Sequence, residues 1–502
     1  MLGMVDQARA DCRVSPSTFF LPRKFYLQRP TIDKPILLRA ERKELFTRCL
    51  RTVSDPDQLL TKWFPGASIS EIKQENFKQL YRRTFLYNAG AADETENEVD
   101  EALAEIENEL GRKLKPGLGN ATCIPATMDK VLMIHRPLFY YLLFIMPQDI
   151  ITHIAQNLRG YHYHRTSVSQ CLRTFPPRPQ VFFTRSKSPS EKISYWYTPH
   201  TSKTRVPVVF LHGVGIGLGS YGSFLKKLSK EQPKLFEGKA DDGTVGLIVV
   251  ENLPVSGRIS PGALSSEEFC LEMQKILTHH KIDDFTLVAH SYGTALATQL
   301  LKYNPISSCI SSVILTDPIN ILLMHQDFIY NLTRRTPNLA NEREMFFVAR
   351  DMDISYTLGR RFFWTENLIW KNDLITRPGR TEKDVPQERT VSVMLSGRDI
   401  VVDSRTIAAY LVNQSFPYPG NEEETQWLEK ISAEKPPISS LWESHDNELR
   451  VFWQGDLDHG QIFTTPMALK TLMSDIWGEP DEDPDEKPEE TTDEKSDEKP
   501  ET

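Results

Sequence analysis

Phe285-Thr-Leu-Val-Ala-His290-Ser291-Tyr292-Gly293-Thr-Ala-Leu-Ala297 reads as a buried apolar strand that stops at a serine and continues at once as a small-residue helix. So sharp a corner strains the serine backbone and leaves room only for small residues two positions before and after it. Ala289 and Gly293 meet that need; Gly is more usual at the first of these positions, so Ala289 bears on the strain of the turn and not on the role of Ser291. A serine on such a corner lifts its hydroxyl above the sheet, and the helix N-terminus behind it favours developing negative charge. A plain Ser/Gly turn without chemistry would look the same over so few residues, so the flanking segments carry the decision.

Upstream, Val206-Pro-Val-Val-Phe-Leu-His212-Gly213-Val214-Gly215 is a second apolar strand that runs into a glycine-rich loop. Acyl transfer needs preorganised N–H donors for the oxyanion, and the loop after this strand supplies one to match the amide following the serine. The expected donors are the backbone N–H groups of Tyr292 and Val214. A dinucleotide fingerprint is excluded, because Gly213, Gly215, Gly217 and Gly219 alternate and Leu218 and Ser220 occupy the positions that would need the third glycine. Downstream, Thr390-Val-Ser-Val-Met-Leu-Ser-Gly397-Arg398-Asp399 is a strand followed by an acid. Leu449-Arg-Val-Phe-Trp453-Gln-Gly455-Asp-Leu-Asp458-His459 is a last strand whose exit loop carries a histidine. Of twelve histidines only His445 and His459 follow Asp399, and His445 precedes the last strand in a polar stretch. Asp403 and Asp458 are weaker rivals for the acid, and a turn-capping role for Asp399 is the plain alternative. Nucleophile Ser291, base His459 and acid Asp399 then follow the order Ser, Asp, His.

These segments resemble the α/β-hydrolase superfamily over about residues 180–477. The His200-Thr-Ser-Lys-Thr run, the His-Gly-Val-Gly-Ile-Gly-Leu loop and Asn331-Leu-Thr-Arg-Arg resemble long fungal α/β-hydrolase proteins with a helical N-terminal extension. Thr357-Leu-Gly-Arg-Arg-Phe-Phe-Trp364 and Ser396-Gly-Arg-Asp-Ile-Val-Val-Asp403 carry the same resemblance. It implies an α/β fold, a mostly parallel central sheet flanked by helices with a helical lid, and a serine-hydrolase triad, but no substrate. Haloalkane and epoxide hydrolases of this superfamily need Asp at the corner, where this chain has Ser291. The expected chemistry is hydrolysis of a carboxylic ester, with a lipid-like or acyl substrate and no cofactor or metal. Cleavage of an amide or thioester, or a non-catalytic binding and scaffolding module, are the competing classes. His212, Gly213 and His290, beside the donors and the serine, are expected at the substrate together with Phe363 and Trp364.

The net charge of −9 comes from the end of the chain, where residues 479–502 hold thirteen acids against three lysines. The remainder is close to neutral, which excludes a nucleic-acid footprint. That tail, without an apolar residue after Trp477, is predicted to be disordered. Six cysteines without a C-x-x-C are expected to be reduced thiols of an intracellular protein, cytoplasmic or peripherally membrane-associated. No apolar signal segment opens the chain, and the oligomeric state is left open.

Residues 1–177 form a helical extension in this reading, 178–477 the hydrolase domain, and 478–502 the tail. Stretches 43–53 and 71–87 predict amphipathic helices, and Val99, Leu103, Ile106 and Leu110 predict a solvated acidic helix with one apolar stripe. The run 138–146 is the most apolar in the chain, yet it is too short to span a bilayer before Pro147 and Asp149. Residues 131–158 therefore predict either a buried helical hairpin or an interfacial helix on a membrane surface. His162 and His164 have metal-ligand spacing but no accompanying ligand cluster. Segments 180–184 and 193–197 predict a leading antiparallel hairpin, followed by strands at 245–250 and 312–316. The gap at about 319–388 predicts a lid, with part of its aromatic set roofing an apolar acyl pocket.

Overall fold

The computed structural model describes residues 21–478 apart from 32–34, 36, 54, 88–92, 125–126, 128, 231–242, 382 and 447. The acidic tail expected to be disordered thus lies outside the described residues. In chain order the strands are β1 (His162–His164), β2 (Ser194–Thr198), β3 (Val208–Leu211), β4 (Leu247–Glu251), β5 (Phe285–His290) and β6 (Ile310–Thr316). They continue with β7 (Thr376–Arg377), β8 (Gln387–Glu388), β9 (Thr390–Ser396), β10 (Ser439–Glu443) and β11 (Leu449–Gln454). Nine of them form one sheet in the order β1-β2-β4-β3-β5-β6-β9-β11-β10, and β7 and β8 pair separately. The six strands from β4 to β11 run parallel, while β1, β2 and β10 add antiparallel edges.

Continuous apolar runs such as Val208–Leu211 are what a parallel strand needs when both faces are covered. Val209, Leu211, Ile248, Val250, Leu287 and Val313 point to one core, shared with helix Ser266–His279 and the N-terminal helices. Their alternates Val208, Phe210, Leu247, Val249, Val288 and Ile314 point to the other, shared with helices Gly222–Lys230 and Pro466–Trp477.

The expected leading hairpin is half right. Only its second limb is a strand, β2, and its antiparallel partner is β1, with Tyr163 opposite Trp196. Pro179–Phe183 is instead a short 3₁₀ turn, since Pro179 fixes φ and brings no N–H to a ladder.

The helices predicted near 43–53 and 71–87 are Arg39–Arg51 and Gln74–Thr84, and the acidic one is Asp93–Glu109. Val99, Leu103 and Ile106 are buried as its stripe requires. Its charges are less solvated than expected: Glu98 takes Arg42 at 2.7 and 2.6 Å and accepts from the Tyr81 hydroxyl at 3.1 Å. Phe46, Trp63, Tyr81 and Phe85 stack into an aromatic core, and Trp364 closes it, with its ring 5.6 Å from Trp63 and 5.2 Å from Phe85. The N-terminal helices are thereby packed onto the segment between β6 and β9.

Residues 138–158 are one helix and not a hairpin. Tyr141–Ile145 is a π-turn, a widening that gives Pro147 room beside a carbonyl it could not otherwise pass. Asp149 is buried in protein, with Arg178 at 2.7 Å, Arg258 at 2.7 Å and the Gln180 amide at 2.7 Å. Burial alone would raise its pKa, but Arg178 and Arg258 hold it far below the usual carboxylate range.

Candidate active site

β5 delivers Ser291 with φ 51° and ψ −121°, a conformation costly for a residue with a Cβ and tolerated where surrounding structure enforces it. That enforcement is visible. A Cβ on Gly293 would sit 2.2 Å from the Leu211 carbonyl oxygen, and one on Gly213 would sit 2.8 Å from the Ser291 Cβ. Glycine at these two positions lets β3, its loop and the serine turn meet. Ala289 is fully buried between β3 and β6, so its methyl is accommodated.

The structure brings the three expected polar side chains into one line. His459 Nε2 is 2.8 Å from Ser291 Oγ, and His459 Nδ1 is 2.7 Å from Asp399 Oδ2. The other Asp399 oxygen accepts from Val401 N at 2.7 Å and Val402 N at 3.0 Å, which fixes the carboxylate plane. Burial alone would lower the pKa of His459; the Asp399 carboxylate and its hydrogen bond, with Asp317 and Asp458 behind them, raise it to about 9. The rival acids are engaged elsewhere. Asp403 caps helix Ser404–Val412 through Thr406 N, and Asp458 accepts from Ile400 N and His459 N. His445 lies exposed between β10 and β11.

In the loop after β3, the Gly213 amide donates to the Tyr221 hydroxyl at 2.9 Å and the Gly215 amide to Val255 O at 3.0 Å. The Val214 amide between them has no acceptor among the described residues, and Tyr292 N–H is one of the open donors of a first helical turn. Both expected oxyanion donors are therefore free for a ligand.

Of the two histidines expected at the substrate, His212 is spent on the scaffold through both ring nitrogens and His290 through Nδ1. His212 Nδ1–H donates to Gly213 O at 2.8 Å and its Nε2 accepts from Asn252 N at 3.0 Å, with burial pulling its pKa down to about 4. His290 Nδ1 accepts from the Tyr221 hydroxyl at 2.6 Å, so its proton sits on Nε2; burial, then His459 and His212, press its pKa well below the ordinary value. Phe363 and Trp364 are not at the pocket either. Phe363 packs edge-on against Tyr87, and Trp364 donates from Nε1 to Thr84 O inside the N-terminal aromatic core. The segment has two sides, and periodicity alone did not say which faced the serine. A cavity of about 320 Å³ instead borders the elbow on the Tyr292 side, lined by Asn252, Leu253, Leu296, Gln299 and Arg361 among others, with neither Ser291 nor His459 in its wall.

Sequence reasoning missed Asp317, the residue directly after β6. It is fully buried at φ 44°, accepts from Ser396 N at 3.0 Å and Gly460 N at 2.7 Å, and lies within 4.8 Å of the Asp399 and His459 polar atoms. Burial and the neighbouring Asp399 raise its pKa to about 6. The signal was present, since an Asp directly after a buried strand is the criterion that selected Asp399.

The family described as alpha/beta hydrolase fold matches residues 154–347. With this sheet order and serine corner, the chain has the α/β-hydrolase fold. It is similar to abhydrolase domain-containing protein abhd-5.2 of Caenorhabditis elegans, 29% identical over 144 residues, which make up 27% of this chain and 29% of that one. The match thus spans under a third of that relative's length. Among solved structures it is similar to naproxen esterase (carboxylesterase NP) from Bacillus subtilis, at 9% identity and TM-score 0.37, covering 66% of this chain and 98% of that one. Carboxylesterase CesB from Bacillus subtilis aligns at 10% identity and TM-score 0.34 over 66% and 100% of the two chains. A bacterial membrane phospholipase A aligns at 10% and 0.35 over 68% and 93%.

Proposed function

We propose that the chain is a serine hydrolase that cleaves a carboxylic ester through an acyl-enzyme. One observation carries this reading: the unbroken line of hydrogen bonds from Asp399 through His459 to Ser291, 2.7 and 2.8 Å long. His459 takes the Ser291 proton as Oγ attacks the ester carbonyl, and Asp399 holds the ring with Nδ1–H toward itself and stabilises the imidazolium. The Val214 and Tyr292 amides receive the oxyanion. His459 then protonates the leaving alcohol, and water repeats the sequence to release the acid. We assign the cavity beside Tyr292 to one arm of the substrate. Its mixture of Arg, Gln and Leu walls suits an ester carrying a polar group better than a plain alkyl chain.

A fluorophosphonate probe tests the reading, with Ser291→Ala as control. Wild type should be labelled and should hydrolyse activated esters; the variant should lose labelling and several powers of ten of turnover. Unlabelled wild type, or ester hydrolysis unchanged in the variant, refutes it and leaves the binding-module class.

A further inference from the structure

Helix Leu138–Leu158 has an occupied inner face and a bare outer one. Inward, Tyr141 and Ile145 pack with Ile259 and with Ile216, two residues past the donor Val214, while Asp149 is bound by Arg178 and Arg258. Outward, Phe139, Leu143, Phe144, Ile151, Ile154 and Leu158 recur at helical spacing, with Leu143 65%, Ile151 61% and Leu158 81% exposed. The 3₁₀ turn that ties Gln180 to Asp149 adds Phe183, 86% exposed.

This region carries a net positive charge. Residues 130–190 hold eight Lys or Arg against one acid, Asp149, while the chain outside residues 479–502 is close to neutral. That single acid is buried and neutralised, whereas Arg173, Arg185 and Lys187 are exposed.

We infer that this face docks on an anionic phospholipid surface, with the helix lying in the headgroup plane and the oxyanion loop beside it. Exposed aliphatic and aromatic side chains are what such a surface binds when combined with cations such as Arg173, Arg185 and Lys187, which have no ion pair among the described residues. A second copy of the chain would bring the same positive charge, and an acidic soluble protein would leave the apolar stripe unsatisfied. The helix lies on the bilayer and does not cross it, because crossing would strip Asp149 from both arginines. Docking is independent of the serine chemistry, but it would present bilayer esters to the site proposed above.

The test is flotation of the full chain with vesicles of phosphatidylcholine alone or with about 30% phosphatidylserine. Wild type should float with the anionic vesicles, bind neutral ones at least tenfold less, and release as salt rises to roughly 0.5 M. Leu143→Glu/Ile154→Glu should lose at least tenfold in binding while keeping wild-type melting temperature and fluorophosphonate labelling; Phe183→Glu, outside the helix, should lose part of it. Failure of wild type to float, equal binding to both vesicle types, or full binding by both variants overturns the inference. So does self-association of wild type that the double variant abolishes without any vesicle binding.

Discussion

Replacing Asp317 by Asn should move the acid limb of the activity profile to lower pH. In the mechanism proposed above His459 works as a base only when neutral, and three carboxylates, Asp399, Asp317 and Asp458, face it and hold its proton, while neutral His290 adds no charge. The Asp317 oxygen is no more than 4.8 Å from the ring nitrogen. Two unit charges at that distance with an effective dielectric near 20 interact by about 3 kcal/mol, roughly two pH units. Because the Asp317 pKa is raised to about 6 by burial and by Asp399, its charge is present above that pH and absent below it. Wild type and variant should therefore coincide below pH 6 and separate above it, the variant holding a larger neutral fraction of His459. Asn also has one carbonyl where Asp317 offers two oxygens to Ser396 N and Gly460 N, so stability should fall by about 1–3 kcal/mol. The midpoint of kcat/KM against pH is insensitive to the fraction folded, so it separates the two effects. A midpoint that stays put or rises while stability falls would show that Asp317 only braces its loops.

Gly293→Ala should be destabilising by about 3 kcal/mol or abolish folding, because the added Cβ meets the Leu211 carbonyl at 2.2 Å, and urea denaturation reads it. Asp149→Ala leaves Arg178 and Arg258 buried without that partner and should cost about 3–5 kcal/mol. Since the folded pKa of Asp149 is held below the unfolded one, wild type keeps this stabilisation above pH 4 and loses it as pH falls further, a dependence the variant should lack. Trp364→Ala should cost about 3–5 kcal/mol and speed hydrogen exchange in helices Arg39–Arg51 and Gln74–Thr84 while leaving KM for a soluble ester unchanged.

Local signals made the centre of the fold readable. The strand at Phe285–His290 announced itself because a parallel strand covered on both faces is a continuous apolar run, and the corner because only small residues fit beside Ser291. Asp399 and His459 were readable through their positions just after β9 and β11. What escaped were decisions made between distant segments. β2 takes β1 and not residues 180–184 as its neighbour, since Pro179 has no N–H to offer a ladder. His290 stands beside the serine in sequence and His212 beside the glycine-rich loop, but the Tyr221 hydroxyl, 69 residues from His290, claims its Nδ1, and Asn252 N, 40 residues from His212, claims its Nε2.

Asp149 shows why the same limit governs the apolar stretch. Hydropathy sees an acid close to nine apolar residues and can offer only burial in protein or avoidance of the bilayer. Arg178 and Arg258 settle the inner face, and neither is near enough in sequence to be read as a partner. Once they bind Asp149, the helix is pinned with one side inward, and the stripe from Phe139 to Leu158 must face outward by helical geometry alone. The buried ion pairs and the exposed apolar surface are therefore linked, since the pairs help fix which side of the helix faces outward. Asp149→Ala should on this argument weaken vesicle binding along with stability, and wild-type binding in a destabilised variant would mean that the helix orientation is held by Tyr141 and Ile145 instead.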